Sequence, residues 1–212
     1  MNRPVAAFCT VYETLRFKGV HDINMPSNKV KCSYGPTNSY VVSTPIGDVQ
    51  VVSCPKGLHS VSQIGDTDEY FSPDISVKVD VKSQLYQDNG YTYKPALQCV
   101  EWLQNYFRPS TDQLKLPSLC HSIFKEGSFC STAQKVLADQ VLFGQTISYK
   151  SLASLCGNEQ ACRAVGMAMK NNPISIIVPC HRVIKHTGNV GNYHGGQKNK
   201  VKHWLLKHEH AI

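Results

Sequence analysis

The sequence predicts an α/β protein in two parts, a small antiparallel sheet with one helix followed by a mostly helical part. Three observations point there. Short β-rich runs separated by Pro and Gly fill residues 39 to 64, apolar residues recur at helical spacing in several stretches beyond Pro95, and the charge divides sharply between the halves. Residues 1–35, which hold Pro26, Lys29 and Lys31 without sustained periodicity, are expected to be an extension. The first part is placed at 36–117 and the second at 118–212.

In the first part, Tyr40-Val-Val and Val49-Gln-Val-Val read as strands joined through Pro45-Ile-Gly47. Leu58 to Ile64 follows after Pro55 and Gly57 as a third, and Val77, Val79 and Val81 alternate as in one more. Pro95 opens a helix with Ala96, Leu97, Val100, Leu103 and Phe107 at helical spacing, and Pro109 lies just past its end.

In the second part, Phe129 to Phe143 reads as a helix stopped by Gly144. Ser151–Leu155 and Glu159–Lys170 are two short helices around Gly157, the outline of a helix-turn-helix, which many helix pairs share without binding DNA. The apolar run Ile174 to Pro179 carries Cys180 at its far end. Gly188, Gly191, Gly195 and Gly196 mark a loop, and Gln197 to His208 forms the last helix.

A composition of 42% hydrophobic and 17% charged residues excludes fibrous and wholly disordered classes. No run approaches the roughly 20 apolar residues of a membrane-spanning helix, and no membrane partner is expected. Met1 to Thr10 lacks the apolar core and cationic lead of a signal peptide, and the nine cysteines are odd in number and scattered. A reduced intracellular setting is therefore expected, with thiol chemistry or metal binding. Residues 1 to 117 hold eleven basic and eleven acidic residues and 118 to 212 eleven against four, so the net +7 sits in the second part. That excess suits an anionic partner such as nucleic acid, and it also serves solubility.

Cys180 is followed by His181 and Arg182. A thiol is nucleophilic as the thiolate, which an adjacent base or positive environment supplies. By itself the Cys-His pair fits a small buried hydrophobe equally well. It also fits a cysteine hydrolase, which would turn over repeatedly.

The run Asn171-Asn-Pro-Ile-Ser-Ile-Ile-Val-Pro-Cys-His-Arg-Val-Ile184, with Gly191-Asn-Tyr-His-Gly-Gly196 and Trp204-Leu-Leu-Lys-His-Glu209, closely resembles the O6-alkylguanine-DNA alkyltransferase family. Ile147-Ser-Tyr-Lys-Ser-Leu-Ala153 and Ala161-Cys-Arg-Ala-Val-Gly166 continue the likeness, which extends over about Ser39 to Glu209. The resemblance implies a ribonuclease H-like first part and a winged-helix-like second part. It implies a protein that moves an alkyl group from O6 of guanine, and also from O4 of thymine, onto Cys180, one event per molecule. A non-catalytic module recognising alkylated DNA is the alternative. Its members lack the cysteine that is present here.

Residue by residue, the resemblance makes Cys180 the acceptor, His181 the base acting through a bound water, and Glu209 the group that orients His181. Tyr149 becomes the donor to the guanine and Asn172 the hinge tying the helix pair to the active segment. Arg163 would fill the space of a flipped base, with Ser148, Tyr149, Ala161, Cys162, Gly166 and Lys170 also along DNA. Met169, Val183, Gly191, Tyr193 and His194 are implied to line the pocket. His194 stands where vertebrate-type relatives carry Ser, Ser175 replaces a Pro, and Met167 stands where a Gly is common. These departures bear on pocket width and on packing of the recognition helix.

Some members hold a structural zinc, and Cys54 and His59 match that site, with Cys120 and Cys32 completing three thiolates and one imidazole. No organic cofactor is expected. The expected partner is double-stranded DNA bearing O6-alkylguanine, bound by a monomer or by molecules side by side. The nucleus would be its place in a eukaryotic cell, and the cytoplasm otherwise.

Overall fold

The computed structural model describes residues 32–65, 68–88, 90–108 and 115–212. Most of the extension expected over 1–35 thus lies outside the described residues. Strands β1 (Asn38–Ser43), β2 (Val49–Cys54), β3 (Gly57–Gln63) and β4 (Asp80–Gln84) form one antiparallel sheet in the order β3-β2-β1-β4. Tyr40 and Val42 of β1 and Val49 and Val51 of β2 are buried while their neighbours are half-exposed, the period-two pattern of a sheet with one covered face.

Helix α1 (Lys94–Tyr106) covers that face, packing on β2, β3 and β4. Its buried stripe of Ala96, Cys99, Val100, Leu103 and Tyr106 follows the helical period, and Pro95 in the first turn removes only an amide that has no helical partner. β4 begins at Asp80, three residues later than Val77 would place it. The Asp74 side chain accepts from the amide and hydroxyl of Ser76, and Val77 N donates to Asp74 O, which holds this stretch in a turn.

The second part contains α2 (Phe129–Gln140), β5 (Ile147–Ser148), α3 (Tyr149–Leu155), α4 (Cys162–Lys170), β6 (Val183–Ile184) and α5 (Asn199–His208). Ser128 caps α2 and Ser148 caps α3, each accepting the amide three residues on. α2, α3 and α4 pack on one another, and buried Gln134 donates to the carbonyl of Ala168.

Several limits differ from the sequence reading for local reasons. α2 stops at Gln140 because Val141 turns to an extended conformation, its carbonyl accepting from Arg182 instead. α4 starts at Cys162 because Asn158 takes the amide of Gln160 in a turn. The parallel pair β5–β6, two residues per strand, was too short to read from periodicity.

The free edge of β3 is covered by two other segments of chain. Leu58 exchanges hydrogen bonds with Ser118 and Cys120, and Val61 with Pro173 and Ser175. Gly57 begins β3 because a Cβ there would overlap the backbone of Leu119 and Cys120. The segment leading to Cys180 is therefore docked on the sheet, and one hydrophobic core runs from Val42 and Leu103 through to Val165, Cys180 and Leu205. Among the described residues no helix is long and apolar enough to cross a membrane.

Candidate active site

Between α4 and β6 the chain passes through Asn172–Pro179 and a single 3-10 turn, Cys180–Arg182. Within it Ile176 has φ of 72°, which a β-branched residue adopts only when its surroundings enforce it. Asn172 supplies the enforcement. Its Nδ2 donates to the carbonyl of Val178 (2.8 Å) and to Cys180 Sγ (3.1 Å), and its Oδ1 accepts from Ile174 N (3.0 Å).

Cys180 is 4% exposed, and burial raises its thiol pKa. Four groups nearby work the other way or sense its charge. Asn172 and the hydroxyl of Tyr193 donate toward the sulfur, and Lys202 adds a positive charge. Burial and then the Cys180 charge raise Tyr149, half-buried at the start of α3, so its hydroxyl stays a proton donor. Lys202 is fully buried, gives one hydrogen bond to Val183 O (2.6 Å), and is pushed down to about 8 by burial against the opposing pull of Cys180.

His181 and Glu209 are both enclosed, with His181 Nε2 2.7 Å from Glu209 Oε1. Arg182 Nε donates to Oε2 (2.7 Å) and its second terminal nitrogen to Oε1 (3.0 Å). Tyr106 of α1 donates its hydroxyl to Oε1 (2.5 Å). Burial would raise the Glu209 carboxyl, but His181 and Arg182 outweigh it and hold the group well below the carboxylate range. Burial lowers His181 despite the pull of Glu209, so the ring is neutral at neutral pH. With Glu209 anionic, Nε2 carries the proton and Nδ1, buried with no protein partner, carries the lone pair.

The structure thus gathers Cys180, His181, Glu209, Asn172, Tyr149 and Tyr193. Met169 and Val183 are buried in the surrounding core. Gly191 lies in the turn after β6, its amide bonded to Asn189 Oδ1 and its Cα beside Lys185. His194, also at positive φ, packs edge-on against Tyr193 (4.5 Å), and its Nε2 meets Ser175 Oγ at 3.3 Å. Two of the three departures singled out in the sequence, Ser175 and His194, are therefore one interacting pair.

Three participants escaped the sequence reading: Tyr106, Arg182 as a ligand of Glu209, and Lys202. Lys202 left a signal, because it falls on the apolar stripe of α5 with Val201, Leu205 and Leu206, where a cation needs a reason. Tyr106 left none beyond its place on the buried face of α1.

On the outer side, Arg163, Met167 and Lys170 are exposed at spacings of four and three along α4, one continuous face. Gly166 beside them meets nothing within 4 Å on its open side, Ala161 and Cys162 at the start of α4 are partly exposed, and so is Ser148 at the start of α3. Met167, at 53% exposure, makes no demand on helix packing.

A second cluster lies at the start of β3. One ligand atom each from Cys32, Cys54, His59 and Cys120 falls within 4.8 Å of the others. Cys120 Sγ is 3.7 Å from Cys32 Sγ and 3.8 Å from Cys54 Sγ.

Comparison with known proteins agrees with this geometry. Residues 131–211 match the family model described as the 6-O-methylguanine DNA methyltransferase DNA-binding domain. The chain is 37% identical over 171 residues to the mouse methylated-DNA–protein-cysteine methyltransferase, covering 80% of this chain and 79% of that protein. This chain belongs to that family. The human methyltransferase is 38% identical over 79% of this chain and 78% of its own length. Among solved structures, Mycobacterium tuberculosis OGT in complex with DNA superposes with a TM-score of 0.59 at 27% identity, covering 81% of this chain and 92% of that one.

Proposed function

We propose that this methyltransferase-family chain repairs DNA by direct reversal, moving a methyl or other alkyl group from O6 of guanine to Cys180. The observation that carries the reading is a buried thiol inside a set of donors, followed in the chain by a neutral histidine whose proton is fixed on Nε2 by Glu209. As the S–C bond forms and the C–O6 bond breaks, the electron pair leaves on guanine. The thiol proton passes to His181 Nδ1 through a bound water, Tyr149 gives a proton to the guanine ring, and the proton taken up by His181 returns through solvent to Tyr149, so guanine leaves neutral and both side chains are restored. Asn172, Tyr193 and Lys202 stabilise the sulfur anion while it exists. The product thioether has no thiol, and each molecule acts once.

Double-stranded DNA is the substrate, consistent with the positive second part and the exposed Arg163, Met167 and Lys170 face of α4. α3 and α4 serve as a helix-turn-helix whose small residues allow close approach to the minor groove, Arg163 entering the stack as the base flips out. O4-alkylthymine is a secondary substrate. Molecules bind as monomers that can sit side by side, in the nucleus of a eukaryotic cell or the cytoplasm otherwise. The division at 117/118 separates the sheet part from this DNA-binding and catalytic part.

Intact mass after incubation with a duplex carrying one O6-methylguanine tests the reading. One methyl group on Cys180, saturating at one per molecule and absent from Cys180→Ser, is the expected result. Repeated turnover on an ester would indicate a hydrolase, and tight lesion binding without transfer a recognition module.

The Cys32, Cys54, His59 and Cys120 cluster fits a structural zinc. With Zn–S bonds of about 2.3 Å, sulfurs in a tetrahedron lie about 3.8 Å apart, which the Cys32–Cys120 and Cys54–Cys120 pairs match. His59 Nε2 is buried with no partner among the described residues, a cost that a metal would remove. Such a site would tie the chain before β1 to the start of β3 and to the 118–120 segment. Native mass spectrometry is expected to find one zinc per chain, lost in Cys54→Ser with a fall in melting temperature. Retention of full stability in the metal-free protein would refute the assignment.

A further inference from the structure

We propose that Tyr106, at the end of α1, is a positioning residue that acts on His181 through Glu209, so that the sheet part supplies a member of the reactive network. The proposal rests on the role given above to His181. Glu209 Oε1 accepts from both the Tyr106 hydroxyl and His181 Nε2. Tyr106 is 3% exposed. Its ring stacks on Trp102 (5.1 Å) and meets Phe107, Phe143 and His208 edge-on or tilted. His208 Nε2 also bonds the Tyr106 carbonyl at 2.8 Å. The hydroxyl therefore has one direction available, and it points at the carboxylate.

Glu209 Oε1 also accepts from Arg182, and an oxygen shared by three donors gives each a weaker bond than it would give two. Tyr106 thus limits how strongly Glu209 draws positive charge onto His181. Without it, Oε1 is left to His181 and Arg182, its bond to His181 strengthens, and the imidazole takes a second proton at higher pH. Among the described residues, the charged and titratable groups around this centre are Cys180 and Arg182 of the reactive turn, Lys202, His208 and Glu209 of α5 and its end, Tyr193 and Tyr106 itself. Of these, Tyr106 alone comes from the sheet part, and it can be altered without changing any charge.

The test is Tyr106→Phe, with the single-turnover rate of methyl transfer from an O6-methylguanine duplex followed across pH. The expected result is an acidic limb moved to higher pH. The rate falls by about tenfold at the acid end and by less than about twofold at the alkaline end. A profile of unchanged shape, whether or not the rate is lower throughout, would overturn the proposal. Leu103→Ala, which removes core packing from the same helix, is the stability control and leaves the limb in place. If the native chain transfers nothing, the proposed function fails and this inference keeps its own readout. The His181 ring signals in NMR then titrate at higher pH in Tyr106→Phe, or they do not and the inference fails too.

Discussion

Glu209→Ala is expected to lower folding stability by about 3–5 kcal/mol and to slow alkyl transfer by about a hundred- to ten-thousandfold. The first effect comes from what stays behind. Arg182 is only 7% exposed, and Glu209 receives two of its hydrogen bonds, so truncation leaves a buried guanidinium with Val141 O alone. Tyr106 loses its acceptor in the same step. The second effect follows because nothing then keeps the proton of His181 on Nε2, and the tautomer with its lone pair on Nδ1 is no longer favoured.

The pH dependence has a definite sign. Glu209 has a folded pKa below its ordinary value of 4.5, so its contribution is full above 4.5 and is lost as pH falls toward the folded value. His181 is a base held below its ordinary 6.5, so the unfolded chain takes its proton first, and stability is lost on acidification from 6.5 downward. The native protein therefore weakens in acid through both groups. Urea unfolding at neutral pH and below pH 4.5 checks this, the gap between native and Glu209→Ala narrowing at the lower pH. A gap that widens in acid would mean the carboxylate is not the stabilising form.

The same residues show what the sequence could and could not tell. The strand alternation of Tyr40 and Val42 and the helical spacing of Ala96, Val100 and Leu103 are local patterns, and each produced the element it announced. The motif around Cys180 placed the thiol, the imidazole and Asn172 within ten residues of one another. Glu209 could be assigned from the resemblance alone, although a carboxylate at a helix C-terminus already asked for an explanation, and the four hydrogen bonds it accepts are that explanation. Tyr106 lies 103 residues from Glu209. No periodicity encodes a pairing at that range, because it depends on how α1 lies across the sheet and where α5 ends. The docking of Pro173–Ser175 on β3 was hidden for the same reason, since an open strand edge accepts any chain that tertiary packing brings to it.

That docking is also why Asn172→Ala should be nearly as damaging as loss of Glu209, with stability falling by about 3–5 kcal/mol from lost and stranded hydrogen bonds. Asn172 is 7% exposed and joins the end of α4 to the active segment from within. Alanine leaves Ile174 N and Val178 O without its side-chain partners and removes the donor to Cys180 Sγ. Ile176 then has less to hold it at φ 72°, and relaxation toward an ordinary conformation would move Cys180, four residues on. Two measurements separate these effects. Urea unfolding gives the stability loss, and the rate of Cys180 modification by a small alkylating reagent reports the thiol without requiring DNA. Burial already raises this thiol, and losing a donor raises it further, so modification near neutral pH is expected to slow by about tenfold relative to the native protein. Faster modification would mean instead that Asn172 matters mainly by keeping the sulfur enclosed, and the hydrogen bond to Sγ would lose its assigned role.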